Sequence, residues 1–284
     1  MKILLTNDDG IHAPGIEALY MALADPDGSQ GGPIAEDFLI VAPLTPQSAA
    51  SHAVTFKTPL MTSIETVSPQ MSGIAVDGRP ADCVKLAISS IWPEKFGADS
   101  KPDLVISGLN AGANVGINVI YSGTVAAALE AAFLGVPSIA VSLHLGPDET
   151  CFDLAARWAR HAIEAVLRGS ASMGEDTPFA PHSCVSINIT LVERPGSGAS
   201  GVEAPPPIVV CPMNTHALND AYEKRTSPTG QTYYWSTGSG LDFTGADPNT
   251  DVEQLFESRI TITPLKYDLT WHEAMAPWRR LLDS

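Results

Sequence analysis

Short apolar runs that end abruptly in turn formers recur along the first two-thirds of the chain. Lys2-Ile3-Leu4-Leu5-Thr6 stops at Asn7-Asp8-Asp9-Gly10, and Phe38-Leu39-Ile40-Val41-Ala42 stops at Pro43. Leu104-Val105-Ile106 runs into a Gly/Asn loop, and Ser138-Ile139-Ala140-Val141 follows the turn signal Gly135-Val136-Pro137. Between these runs the period changes. After Pro14, residues Ile16, Leu19, Tyr20 and Leu23 share one helical face; Thr124 to Leu134 reads as an Ala-rich helix and Cys151 to Arg168 as a long amphipathic one. Strands that are apolar throughout and separated by helices belong to a parallel sheet covered on both faces. An α/β fold is expected, with ligands collecting beyond the C-terminal ends of the strands.

The pattern shifts further on. Val185, Ile187 and Ile189 alternate with polar neighbours, which predicts a more exposed strand. Arg194 to Pro207 is a Gly/Ser/Pro-rich connector, so the chain divides into a core, 1–193, and a second part, 194–284. In the second part Tyr233-Tyr234-Trp235 and the alternating Arg259 to Thr263 predict strands of a smaller accessory β element, suited to an oligomerising arm. No internal repeat is visible.

Composition narrows the function classes. With 284 residues, 44% of them hydrophobic and 17% charged, a disulfide scaffold and a disordered tail are excluded. Sixteen Lys+Arg against 32 Asp+Glu give a net charge of -16, which argues against a nucleic acid duplex as partner. A phosphate ligand would need a local cation or oriented N–H groups. The four cysteines are far apart with no C-x-x-C pair, as expected of reduced structural thiols. The first residues are too short and too acidic for a secretory signal, and the apolar stretch Val125 to Leu143 contains Glu130 and a Gly-Val-Pro break. A cytoplasmic protein with no membrane partner is the expectation.

Three loops after three strands carry the candidate chemistry. Asp8 and Asp9 are adjacent carboxylates, costly together unless a divalent cation uses both as oxygen ligands; a solvated helix N-cap is the plainer alternative. Pro43 to Ser51 presents hydroxyls and an amide without acid or base, either to complete a hard-ion shell or as an ordinary polar connection. Ser107 to Gly116 supplies Gly and Asn, and Ser122-Gly123-Thr124 precedes a helix, as a phosphate seat or simple cap. Parallel strands would bring all three to one sheet edge. No P-loop, no G-x-G-x-x-G after a strand, no G-x-S-x-G and no zinc-type His spacing is present, and His12 and His52, close to the candidate loops, read as accessory.

These segments resemble the SurE family, the survival protein E phosphatases. The likeness rests on Leu5 to Ile11, Val41-Ala42-Pro43 with Gln47-Ser48, Gly78 to Val84, and Ser107 to Asn110 through Tyr121 to Thr124; it continues in Gly230 to Trp235, Thr250-Asp251 and Ile262 to Leu265. The resemblance implies a three-layer, Rossmann-like, mostly parallel sheet with a C-terminal β-hairpin arm exchanged between subunits of a homodimer or homotetramer. It implies a metal-dependent phosphatase acting on nucleoside 5'- and 3'-monophosphates, and in some members on polyphosphate. One Mg²⁺ or Mn²⁺ per subunit would be held by Asp8, Asp9, Ser48 and Asn110, with Asp8 and Asp9 catalytic. Asn7, Gly10, Asn114, Ser122, Gly123 and Thr124 would line the phosphate. Gln47, Arg79 and Asn118 depart from the family pattern, which has a basic, a small polar and an acidic residue there. Two readings from other classes are a nucleotide or metal sensor without turnover and an assembly protein using its C-terminal arm.

Overall fold

The computed structural model describes residues 1–147, 149–173, 179–192, 204–238 and 240–282. The connector and the division at 193/194 therefore lie almost wholly outside the described residues. In chain order the elements are β1 (Lys2–Thr6), α1 (Pro14–Ala24), β2 (Asp37–Pro43), β3 (Thr62–Ser68), β4 (Met71–Val76), α2 (Pro80–Leu86) and, after a wide turn at Ala87–Ile91, α3 (Trp92–Phe96). Next come β5 (Leu104–Ala111), α4 (Asn118–Tyr121), α5 (Gly123–Phe133), β6 (Ser138–Leu143), α6 (Phe152–Met173) and β7 (Ser183–Ile189). The chain continues with β8 (Ile208–Val210), β9 (Tyr222–Thr226), β10 (Thr232–Ser236), α7 (Asp251–Phe256), β11 (Ile260–Lys266) and α8 (His272–Leu282).

Nine strands form one sheet in the order β3-β4-β2-β1-β5-β6-β7-β11-β8, while β9 and β10 pair as a separate antiparallel hairpin. From β4 to β7 every pairing is parallel. The apolar runs of β1 and β5 are continuous because both faces are covered. Ile3, Leu5 and Ile106 pack with Ile16, Leu19 and Leu23 of α1 and Leu154, Trp158 and Ile163 of α6. Leu4 and Val105 point the other way, onto Cys83 and Val84 of α2, Trp92, and Ala127 and Ala131 of α5. This is the three-layer architecture that the pattern implies. Val125 to Leu143 resolves into helix, turn and strand, and among the described residues no helix is long and apolar enough to cross a membrane. Cys83, Cys184 and Cys211 are buried free thiols whose ionisation burial opposes.

Two expectations are corrected. The alternation in β7 does not signal exposure, since all seven residues are buried. Its polar positions are spent internally, with Asn188 accepting from Asn114 N (2.8 Å) and donating to Asn114 O (3.1 Å). Nor does the Arg259–Thr263 segment belong to a small accessory element. As β11 it joins the main sheet, antiparallel to β7 and parallel to β8, because its apolar residues Ile260 and Ile262 extend the core.

Candidate functional site

Strand order reverses at β1, which has β2 on one side and β5 on the other, so the loops after these three strands converge. Backbone hydrogen bonds stitch them together. Gln47 N donates to Asp8 O (2.8 Å), and Ser51 donates from its amide to Tyr121 O (2.9 Å) and from its hydroxyl to Ile120 O (2.8 Å). Beneath them lies a cavity of about 430 Å³ whose lining includes Asp8, Asp9, Ser48, Asn110, Asn114 and Ser122. All four residues assigned to a cation and two of those assigned to phosphate thus share one hollow.

The remaining four sit elsewhere. Asn7 is fully buried and uses its amide to hold Gly10 O (2.8 Å), and Gly10, at φ +97°, borders a neighbouring hollow of about 380 Å³. Thr124 lies behind Asp8: its hydroxyl donates to Oδ1 (2.5 Å) and its amide to Oδ2 (3.1 Å). Gly123 makes this possible, since a Cβ there would stand 2.9 Å from both Cβ and Oδ2 of Asp8. The N-terminus of α5 therefore serves the Asp8 carboxylate, with Val125 N turned to Ser122 Oγ (3.1 Å).

Electrostatics set the two acids apart. Burial, abetted by the charge of Asp9 and opposed by the Thr124 bonds, raises the Asp8 carboxyl from 3.8 to about 6. Asp9 is also pushed up by burial, against the N–H of Ala111 that reaches its Oδ2 (2.7 Å). Among the described residues that line the cavity there is no Lys, Arg or His. His12 instead borders the neighbouring hollow and faces Glu65 (3.4 Å). His52 is bound to Glu130 (2.7 Å), as is Lys85 (2.8 Å), and these bonds hold that carboxyl below its ordinary value although burial pushes it up. Arg79 caps α2 through its amide on Asp82 (2.9 Å), away from the cavity.

A linkage test follows for Asp8. The fold raises its pKa, so its contribution to stability is full below about 4 and is lost as pH climbs through about 6. In EDTA, wild type should lose roughly 3 kcal/mol relative to Asp8→Asn between pH 4 and 7, read from urea midpoints. A constant difference would show that the carboxyl is not penalised by its surroundings.

The donor set fits a hard divalent cation. Among the described residues no three His, Cys, Asp or Glu converge. A cation here would take two carboxylates and complete its shell with neutral oxygens, which Ser48 offers and Asn110 offers once its amide has donated to Gly112 O (2.6 Å). Among the described residues no Lys, Arg or His lines the cavity beside these carboxylates, which is the condition a metal relieves.

Comparison with known proteins gives the geometry a family. The model for Survival protein SurE matches residues 3–207. The chain belongs to the SurE family. A curated relative from Rhodopirellula baltica named "5'-nucleotidase SurE" is 40% identical over 274 residues, covering 95% of this chain and 94% of its own. Another of that name, from Nitratidesulfovibrio vulgaris, is 41% identical and covers 97% and 90%. The crystal structure of the SurE protein from Aquifex aeolicus superposes with a TM-score of 0.73 at 30% identity over the whole of both chains. In this SurE chain, sequence reasoning missed Leu145, Gly240 and Leu241, which close the cavity, and named Tyr121 and Asn118 beside them without giving either a role. Their signal was weak, because Leu145 and Leu241 sit in irregular segments without a periodic pattern. Asp251, noted only for resemblance, is buried and accepts from Gly116 N (2.9 Å) and Asn214 N (2.8 Å), tying the third loop to the C-terminal part.

Proposed function

We propose that this protein is a divalent-metal-dependent phosphomonoesterase that releases phosphate from nucleoside 5'-monophosphates, with 3'-monophosphates and short polyphosphate as further substrates. The observation that carries the reading is a cavity with a buried and a half-buried carboxylate, neutral oxygen donors and, among the described residues, no lining cation. Three N–H groups around it are already committed. Thr124 N serves Asp8, Ala111 N serves Asp9, and Gly112 N serves Asn110 O (3.1 Å). An anion entering this hollow meets two carboxylates, and the described lining side chains supply no positive charge to offset them. The 5'-nucleotidase names carried by relatives of near-equal length support the nucleoside 5'-monophosphates among these substrates.

Asp8, Asp9, Ser48 and Asn110 would hold one Mg²⁺ or Mn²⁺, oxygen donors suiting either. When bound, the ion supplies charge neutralisation at the phosphoryl oxygens and lowers the pKa of a water nucleophile. Thr124 fixes the orientation of Asp8, Ala111 fixes Asp9, and Ser122 and Asn114 border the phosphate. An aspartyl-phosphate route through either carboxylate differs in leaving a trappable phosphoenzyme. We place the protein in the cytoplasm. It works as a homodimer or homotetramer, supported by a hairpin that exposes Tyr222, Tyr234 and Trp235 and by α8, which buries no residue within its own chain.

Phosphate release from AMP is the decisive assay. With Mg²⁺ or Mn²⁺ turnover is expected, and EDTA should abolish it, with recovery on adding the metal back. Thermal stabilisation by AMP without turnover would instead favour a sensor.

A further inference from the structure

Ser48 sits on a segment that does not hold its own shape. Between the end of β2 at Pro43 and the start of β3 at Thr62 the chain forms neither helix nor strand, a long irregular stretch for a packed core. Ala49 (φ +54°) and Ser51 (φ +50°), close behind Ser48, both lie in the left-handed region that glycine favours. Such conformations persist only where neighbours impose them.

Those contacts come from two sides. Toward the cavity, Gln47 N reaches Asp8 O and Ser51 reaches the carbonyls of Ile120 and Tyr121. Away from it, the His52 side chain leaves the segment: Nε2 stands 2.7 Å from Oε2 of Glu130, and the ring lies flat on Phe133, with centroids 5.5 Å apart and planes 7° from parallel. Both partners belong to α5, the helix whose first turn holds Asp8 through Thr124. Burial pushes the Glu130 carboxyl up, yet the bonds from His52 and Lys85 hold it below its ordinary value, so it is a carboxylate and the His52 nitrogen facing it donates. Lys85 takes the other oxygen, Oε1, at 2.8 Å, and Tyr267 packs edge-on against Phe133 (5.0 Å). His52, Glu130 and Phe133 themselves do not line the cavity.

We propose that His52 is a positioning residue for the cation site: bridged to Glu130 and stacked on Phe133, it locks the Ser48 turn against the same helix that orients Asp8, so that donors from two loops keep one spacing. The inference rests on the metal-dependent reading and adds a residue that sets the affinity of the site without touching the ion. Asp8 and Asp9 are fixed by hydrogen bonds to their own oxygens, whereas Ser48 is exposed and is placed by its turn. Loosening the turn therefore costs affinity through Ser48.

Calorimetric titration with Mn²⁺ reads that cost. His52→Ala should weaken Mn²⁺ binding about tenfold, and saturating metal should restore kcat for AMP to near the wild-type value, because no donor is lost. His52→Gln, whose amide still donates to Glu130, should recover most of the affinity. In a Ser48→Ala background His52→Ala should add little further loss, since the donor it places is already gone. Lys85→Met removes the other partner of Glu130 without touching the segment; it should lower the urea midpoint and leave Mn²⁺ affinity unchanged. Wild-type affinity in His52→Ala, an equal loss in Lys85→Met, no recovery in His52→Gln, or a loss undiminished by Ser48→Ala overturns the proposal. Mn²⁺ binding without turnover of AMP would end the phosphomonoesterase reading and leave these affinities to decide. If wild type binds no Mn²⁺, the metal reading fails on its own and the anchoring is judged by hydrogen exchange in EDTA. A Ser51 amide that exchanges about tenfold faster in His52→Ala, but not in Lys85→Met, upholds it, and equal protection sinks it.

Discussion

Asp9→Asn is expected to slow phosphate release from AMP by about 10²- to 10³-fold while leaving the protein as stable as wild type in EDTA, or slightly more stable. The two effects part because Asp9 does two jobs. Structurally, its Oδ2 accepts the Ala111 N–H at 2.7 Å, and an amide oxygen can accept the same bond. Chemically, the full charge is needed to hold a dication, and Asn halves the acidic charge of the hollow. Burial already penalises the ionised form of Asp9, so removing that charge relieves the apo fold. Asp8→Asn is a harsher change: two Thr124 donors point at one carboxylate, and an amide must turn its NH₂ toward one of them. Initial rates across a Mn²⁺ titration, set beside melting curves in EDTA, separate the outcomes. Near-normal turnover in Asp9→Asn at saturating metal would remove Asp9 from the machinery.

Much of this arrangement was legible in the residues because parallel sheets encode their own ligand edge. Leu4 and Leu5 announce a strand buried on both faces, and once three such strands are aligned, Asp8, Ser48 and Asn110 must meet. The errors came from residues whose polarity is spent on partners distant in sequence. Asn188 in β7 looks solvent-facing until Asn114, 74 positions away, takes both ends of its amide. Thr124, expected to line the phosphate, also spends its own amide and hydroxyl on Asp8, 116 positions earlier, a contact that no local pattern encodes. The edge strand β3 escaped notice since Thr62, Ser63 and Glu65 break any apolar run, and β4 needs it only as a hairpin partner. The far wall of the cavity was invisible for the same reason: Gly240 reaches it through Asn118, 122 positions away.

Gly15→Ala should cost about 2–3 kcal/mol of stability, opposite in sign to what helix propensity alone dictates. Gly15 is the second residue of α1 and has ordinary helical backbone, so Ala would normally help by up to about 1 kcal/mol. Space forbids it. A Cβ at this position would lie 2.0 Å from the Leu109 carbonyl oxygen and 3.1 Å from its carbon, and both belong to the backbone of β5. Since neither can rotate away, α1 must retreat, carrying Ile16, Leu19 and Leu23 out of register with the core they share with Ile106 and Leu109. The displacement does not stay in the scaffold. β5 shifts register against β6 between Ser107 and Asn110, and this irregularity presents Asn110 to the cavity, so pressure on Leu109 moves the next residue directly. A weaker affinity for Mn²⁺ should therefore accompany the lost stability. Gly169→Ala in α6 is the control, because a Cβ there meets nothing within 4 Å and propensity acts unopposed. Urea midpoints should move down for Gly15→Ala and up for Gly169→Ala. If the two substitutions shift the midpoint in the same direction, the close approach of α1 to β5 is not what sets the position of Asn110.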